Sequence, residues 1–185
     1  MEGDFALVKI MKNIFRGRLG FSMIELLVVM FIISLISAVA IANYRGGQRK
    51  YVLTQAVQKL VSDIRKAQNM ALSGFDIAGA YYGYGVYLEE GNSYYIIYGD
   101  VNGNSTYQPA DDVIEEVSLF PQGVEVASVS TAAGKMSIFF EPPQPTTYIN
   151  GDSAPGLSGT ISLKVTNSSL FKTVQITTAG LVEVE

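Results

Sequence analysis

The sequence predicts an α+β chain in which a long amino-terminal helix leads into an antiparallel β-sheet domain. Three observations carry this: an apolar run from Phe21 to Tyr44, a helical stripe that continues to Ser73, and alternating aromatic and β-branched segments from Tyr82 onward. The 185 residues suffice for one long helix and one modest domain even after loss of an amino-terminal leader.

The apolar run comes first. From Leu26 to Ala42 its only polar residues are Ser34 and Ser37. A bilayer crossing needs roughly 20 apolar residues, so the stretch 21–44 is long enough to span. Lys12, Arg16 and Arg18 precede it, which by the positive-inside rule places the amino terminus in the cytoplasm and the bulk of the chain outside. Glu25 sits at the mouth of this span. An acid inside a span costs roughly 2.5–3.5 kcal/mol at mid-helix and less near an end, and such groups usually have a partner. A cut after Gly20 supplies one, because Phe21 then gains an α-amine with a pKa near 8, four residues from Glu25. The two charges neutralise one another within one helix or between neighbouring chains.

Beyond the span, Leu53, Val57, Leu60, Ile64, Ala67 and Ala71 are spaced by four and three, the stripe of a helix with one buried face. Arg49, Lys50, Lys59, Arg65 and Lys66 occupy other faces, and Gly74 marks a stop after Ser73. The whole helix from Phe21 would measure about 80 Å at 1.5 Å per residue. Gly46 and Gly47 lower helix propensity just outside the span, either as a place to bend or as a tolerated exposed pair.

The sheet domain follows. Tyr82–Leu88 and Ser93–Tyr98 read as strands joined by the turn Glu89-Glu90-Gly91-Asn92. Val113–Phe120, Val124–Val129 and Lys135–Phe140 read as further strands. The Pro- and Gly-rich stretch 142–159 reads as a loop of low charge, free to touch other chains. Thr160–Thr166 and Leu170–Thr177 form a hairpin across Asn167-Ser168-Ser169, and Leu181–Glu185 is a last short strand. Seven tyrosines between Tyr81 and Tyr98 divide between core and surface by strand alternation, which accounts for them better than a sugar-binding face.

Composition narrows the function. With no His and no Cys, the usual zinc, Cys-protease and Ser-His-Asp arrangements are excluded, there is no disulfide, and an enzyme is not expected. The pairs Glu89/Glu90 and Glu115/Glu116 read as solvated turns and strand edges. Nine basic residues against fifteen acidic ones follow Gly20, with only Lys135, Lys164 and Lys172 beyond Lys66, which disfavours nucleic acid as a partner. In the loop from Asp100 to Asp111, oxygen-bearing Asp100, Asn102, Asn104, Thr106, Gln108 and Asp111 match the spacing of a twelve-residue Ca²⁺ loop. Against this, Ser105 stands where a glycine makes the turn, Asp111 is shorter than the usual Glu, and strand rather than helix follows. Asn, Gly and Asp also serve ordinary exposed turns, and a polar connection is the better reading.

The run Gly20-Phe21-Ser22-Met23-Ile24-Glu25 at a span's mouth resembles the processing site of type IV pilins and of type II secretion pseudopilins. The region from Ile96 to Val117 and the stretch Gln175–Val184 are similar to the secretion protein H branch and its FimT-like pilus relatives. Relatives of that branch are often Arg-rich after the terminal glycine, where this chain has Leu181, Glu183 and Glu185. The resemblance implies a leader over 1–20, a transmembrane half over 21–44, an amphipathic half over 45–73 and a periplasmic domain over 74–185. It implies that a prepilin peptidase cuts between Gly20 and Phe21 and methylates the Phe21 amine. Glu25 then pairs with Phe21 of an adjacent subunit in a fibre that supports secretion. Its partners would be other pseudopilins or pilins and an assembly platform protein in the inner membrane. The alternatives are a minor type IV pilin for motility or adhesion, and a signal-anchored or secreted domain that binds calcium or sugar. The secreted form would be cut after Ala38-Val39-Ala40. Glu2 and Asp4 are unusual in a prepilin leader, and Met11 is an alternative start.

Overall fold

The computed structural model describes residues 20–73, 81–131, 133–144 and 146–185. The leader up to residue 19 and the stop at Gly74 lie outside the described residues. The arrangement is α+β, as the periodicities predict, with helix α1 (Met23–Ser73) followed by nine strands. The chain divides into two compact units, residues 1–45 and 46–185.

In the first unit the described side chains of α1 are exposed, and the helix is long and apolar enough to cross a membrane. Ser34 donates its hydroxyl to the Met30 carbonyl at 2.8 Å, so this polar side chain is satisfied within its own helix.

The second unit holds the remainder of α1 and two antiparallel sheets. Five strands lie in the order β3-β2-β1-β5-β6: β1 is Gly83–Glu89, β2 Tyr94–Asp100, β3 Val113–Leu119, β5 Lys135–Glu141 and β6 Thr146–Ile149. Four strands form the other sheet in the order β4-β7-β8-β9: Val124–Val129, Ser158–Val165, Phe171–Thr177 and Val182–Val184. Both predicted hairpins form, and their turns use Gly91 (φ 84°) and Asn167 (φ 59°) in the left-handed region. The stretch 142–159 departs from expectation. It contains β6, which pairs with β5 from Ile138↔Ile149 to Glu141↔Thr146, so the composition-based loop is partly a strand on the sheet edge.

One core joins helix and sheets. Leu53, Ala56, Val57, Leu60, Ile64, Ala67 and Ala71 are buried with Val86, Leu88, Ile97 and Ile138 of one sheet and Val126, Ile161, Leu163 and Ile176 of the other. At roughly 25 cal/mol per Å² of apolar surface, this burial is the main force holding the three pieces together. The sheets are also stitched at the β1–β2 turn, where Gly91 N donates to Val126 O at 3.0 Å and Val126 N donates to Asn92 O at 2.9 Å.

The opposite face of the larger sheet carries a second cluster of Ile96, Tyr98 and Phe139, flanked by Tyr87, Tyr107 and Tyr148. Its rings occupy the space left by Gly83 and Gly85 of β1. A Cβ on Gly85 would stand 2.6 Å from the Tyr98 ring, and one on Gly83 2.6 Å from the Phe139 ring.

Leu60 is fully buried at the centre of the helical stripe. Leu60→Ala is expected to destabilise the domain by about 2–5 kcal/mol, read by chemical denaturation of the full chain in detergent, whereas Tyr51→Ala on an exposed face costs under about 1 kcal/mol.

Candidate functional site

The amino-terminal site is built on a helix start. Residues 20–22 are not helical, and α1 begins at Met23. Ser22 acts as the cap: its Oγ accepts the Ile24 N–H at 3.4 Å, and its carbonyl accepts the Leu26 N–H at 3.1 Å. Ser22 and Glu25 have the Ser-x-x-Glu spacing of a capping box, which was legible in the sequence but missed there. Glu25 lies in the first turn, where the helix dipole favours a negative charge. Gly20, Phe21 and Glu25 are all exposed, Phe21 at 76%. The Gly20–Phe21 bond therefore lies in accessible, non-helical backbone, the form in which chains are most readily cut.

A protein-family profile described as "Prokaryotic N-terminal methylation motif" matches residues 15–41. The amino-terminal segment carries a type IV pilin-like signal. That motif points to a protein of the pilin or pseudopilin kind, a structural subunit processed by a prepilin peptidase and partnered by pilin-type chains. Together with the apolar helix it points to membrane anchoring. No curated protein and no solved structure matches the chain.

The other sequence-predicted residues lie in the loop between β2 and β3. Asp100 is fully buried, and its carboxylate accepts N–H bonds from Asn102 (3.0 Å), Gly103 (2.7 Å) and Ser105 (2.8 Å). Asn102 Oδ1 accepts from Asn104 N, and Asn104 Oδ1 accepts from the backbone and hydroxyl of Thr106. A second acid, Asp112, closes the loop, and Asp111 Oδ2 accepts the Asn102 side-chain amide at 3.5 Å. Asp112 is buried and accepts from Val101 N at 3.2 Å and Gln108 N at 2.7 Å, whereas Asp111 is exposed. The side-chain oxygens of Asp100, Asn102, Asn104 and Asp111 thus accept bonds from the loop's own donors. Among the described residues no group of three or more acids forms a metal-binding cluster.

A polar clamp between α1 and the larger sheet escaped the sequence reading. Asp63 Oδ2 accepts the hydroxyls of Tyr95 at 2.5 Å and Ser118 at 3.0 Å. Beside it, Lys59 Nζ donates to the Leu119 carbonyl and Lys66 pairs with Glu116, so three side chains of one helical face reach β2 and β3. Burial, and then the bond to Asp63, pushes the Tyr95 hydroxyl well above its usual 10.0. Burial likewise raises Tyr98 on the far face.

A tyrosine whose pKa is raised by folding contributes stability fully present below pH 10 and lost as pH climbs above it. Thermal melts from pH 8 to 11 should therefore show a fall above pH 10 that is shallower in Tyr95→Phe. Asp100→Ala should destabilise the domain by about 2–4 kcal/mol and expose the Gly103 and Ser105 amides to hydrogen exchange. Melting the parent chain with calcium or with chelator should give the same midpoint if the loop is braced by its own hydrogen bonds, and a higher one with calcium if an ion is held.

Proposed function

We propose that this chain is a pseudopilin of a type II secretion fibre. A prepilin peptidase cuts it after Gly20 and methylates the new Phe21 amine. It waits in the inner membrane through residues 21–44, with the amino terminus cytoplasmic and the domain periplasmic. The supporting observation is one coincidence. A Gly20–Phe21 bond in exposed, non-helical backbone immediately precedes a bilayer-length apolar helix whose first turn holds a single carboxylate.

The chemistry follows from where the charges go. Cleavage creates an ammonium at Phe21, and apolar surroundings make both that cation and Glu25 costly alone. When one subunit enters beside another, Glu25 of the newcomer meets the Phe21 amine of its neighbour and both costs fall together. The apolar flanks of the spans then supply most of the holding force. A platform protein in the inner membrane would lift each subunit into the fibre. The departure at Leu181, Glu183 and Glu185 from the Arg-rich ends of the secretion protein H branch disfavours a nucleic-acid-binding pilin.

The test separates processing from assembly. Glu25→Leu should leave cleavage after Gly20 intact but reduce recovery in sheared or purified fibres at least tenfold. Glu25→Asp should restore part of it. Equal fibre recovery for Glu25→Leu and the parent would exclude the charge-pair mechanism.

A further inference from the structure

Strand β3 is the outermost strand of the larger sheet, and among the described residues no strand pairs with its other side, although the Leu119 carbonyl accepts Lys59 Nζ. Six of its seven residues are exposed, Ser118 alone being buried. Of the other edges, β4 buries Val124, Val126 and Val129, β6 is folded over by the Ile149–Asp152 bridge, and β9 is only 3 residues long. On β3 the exposed side chains include Ile114 (48%), Val117 (51%) and Leu119 (65%). A spacing of three between Ile114 and Val117 would ordinarily put them on opposite faces. A register shift at Ile97/Tyr98 leaves Glu115 as the extra residue, so Ile114 stands opposite Tyr98, Val117 opposite Ile96 and Leu119 opposite Tyr94. The bulge therefore gathers an apolar strip on the face away from α1, continuous with the Tyr94 ring and Ile96.

Charge decides what can cover it. Glu116 turns toward α1 and is neutralised by Lys66, while Glu115 makes no ion pair among the described residues. Pairing β3 with β3 of a second copy would bring the central acids of both strands together, and like charges opposite one another disfavour such pairing. A strand carrying Lys or Arg at that position is favoured instead. We propose that β3 is a docking edge for an extended segment of a different protein chain. The segment adds to the sheet with apolar side chains against Ile114, Val117 and Leu119 and a basic residue facing Glu115. The inference rests on the domain's own geometry and not on how the amino terminus is processed.

Benzoylphenylalanine placed at Val117 of the full chain in its host cells tests this, with Ser128 on β4 as the control position and adducts mapped by peptide mass spectrometry. The expected adduct joins Val117 to an extended, Lys- or Arg-bearing segment of another protein and is absent from Ser128. Glu115→Lys should lower its yield about threefold or more, Glu115→Gln by less, with thermal midpoints unchanged. An adduct to a second copy, an adduct insensitive to Glu115→Lys, or no adduct from a chain that reaches the membrane overturns the proposal. Determining the amino terminus in the same cells keeps the two readings apart. An uncut chain that still gives the adduct sinks the fibre reading alone, and a processed chain without it sinks the docking edge alone.

Discussion

The domain depends on one buried stripe. Leu53, Ala56, Val57, Leu60, Ile64, Ala67 and Ala71 reach a core that both sheets share. Small residues alternate with large ones along it, so Ala56, Ala67 and Ala71 let the helix backbone approach while Leu60 and Ile64 fill the gaps. Earlier in the same helix the described apolar side chains are exposed on every side, the pattern of a segment whose solvent is lipid. One continuous helical sequence thus meets two demands, apolar all round before Arg45 and apolar on one face after Gly47.

Among the described residues most polar groups near this core are hydrogen-bonded, Thr147 Oγ1 being buried without a partner. Asp63 takes two hydroxyls from neighbouring strands, fixing which strands the helix lies across, and Asp100 takes three backbone N–H groups that shape the β2–β3 loop. Both carboxylates hold structure by accepting bonds.

Much of this was legible because it is periodic. The 3–4 spacing from Leu53 to Ala71 and the alternation in the strands state which faces are buried, and turn residues such as Gly91 and Asn167 state where the chain reverses. What was missed lacks a period. Strand β6 has four residues inside a Pro-rich stretch, so composition outweighed pattern. Asp63 is a lone acid on a helix face, and its hydroxyl partners come from strands far along the chain. The burial of Asp112 and its bonds to Val101 and Gln108 depend on how the loop packs, which no spacing states. The bulge that lines up Ile114 with Val117 depends on register with β2, which a single strand does not reveal. At the amino terminus the Ser22–Glu25 spacing gives Glu25 a second setting, the first turn of a capped helix, beside the charge pair expected of it.

We propose that the chain becomes an assembly subunit when its leader is removed after Gly20. The most direct measurement is the amino-terminal sequence and intact mass of the native protein from membranes, with and without the host's prepilin peptidase. The account predicts a chain beginning at N-methylated Phe21 that reverts to the uncut form without the peptidase. A chain beginning at Ile41, or one whose leader stays in place in the presence of the peptidase, would contradict it.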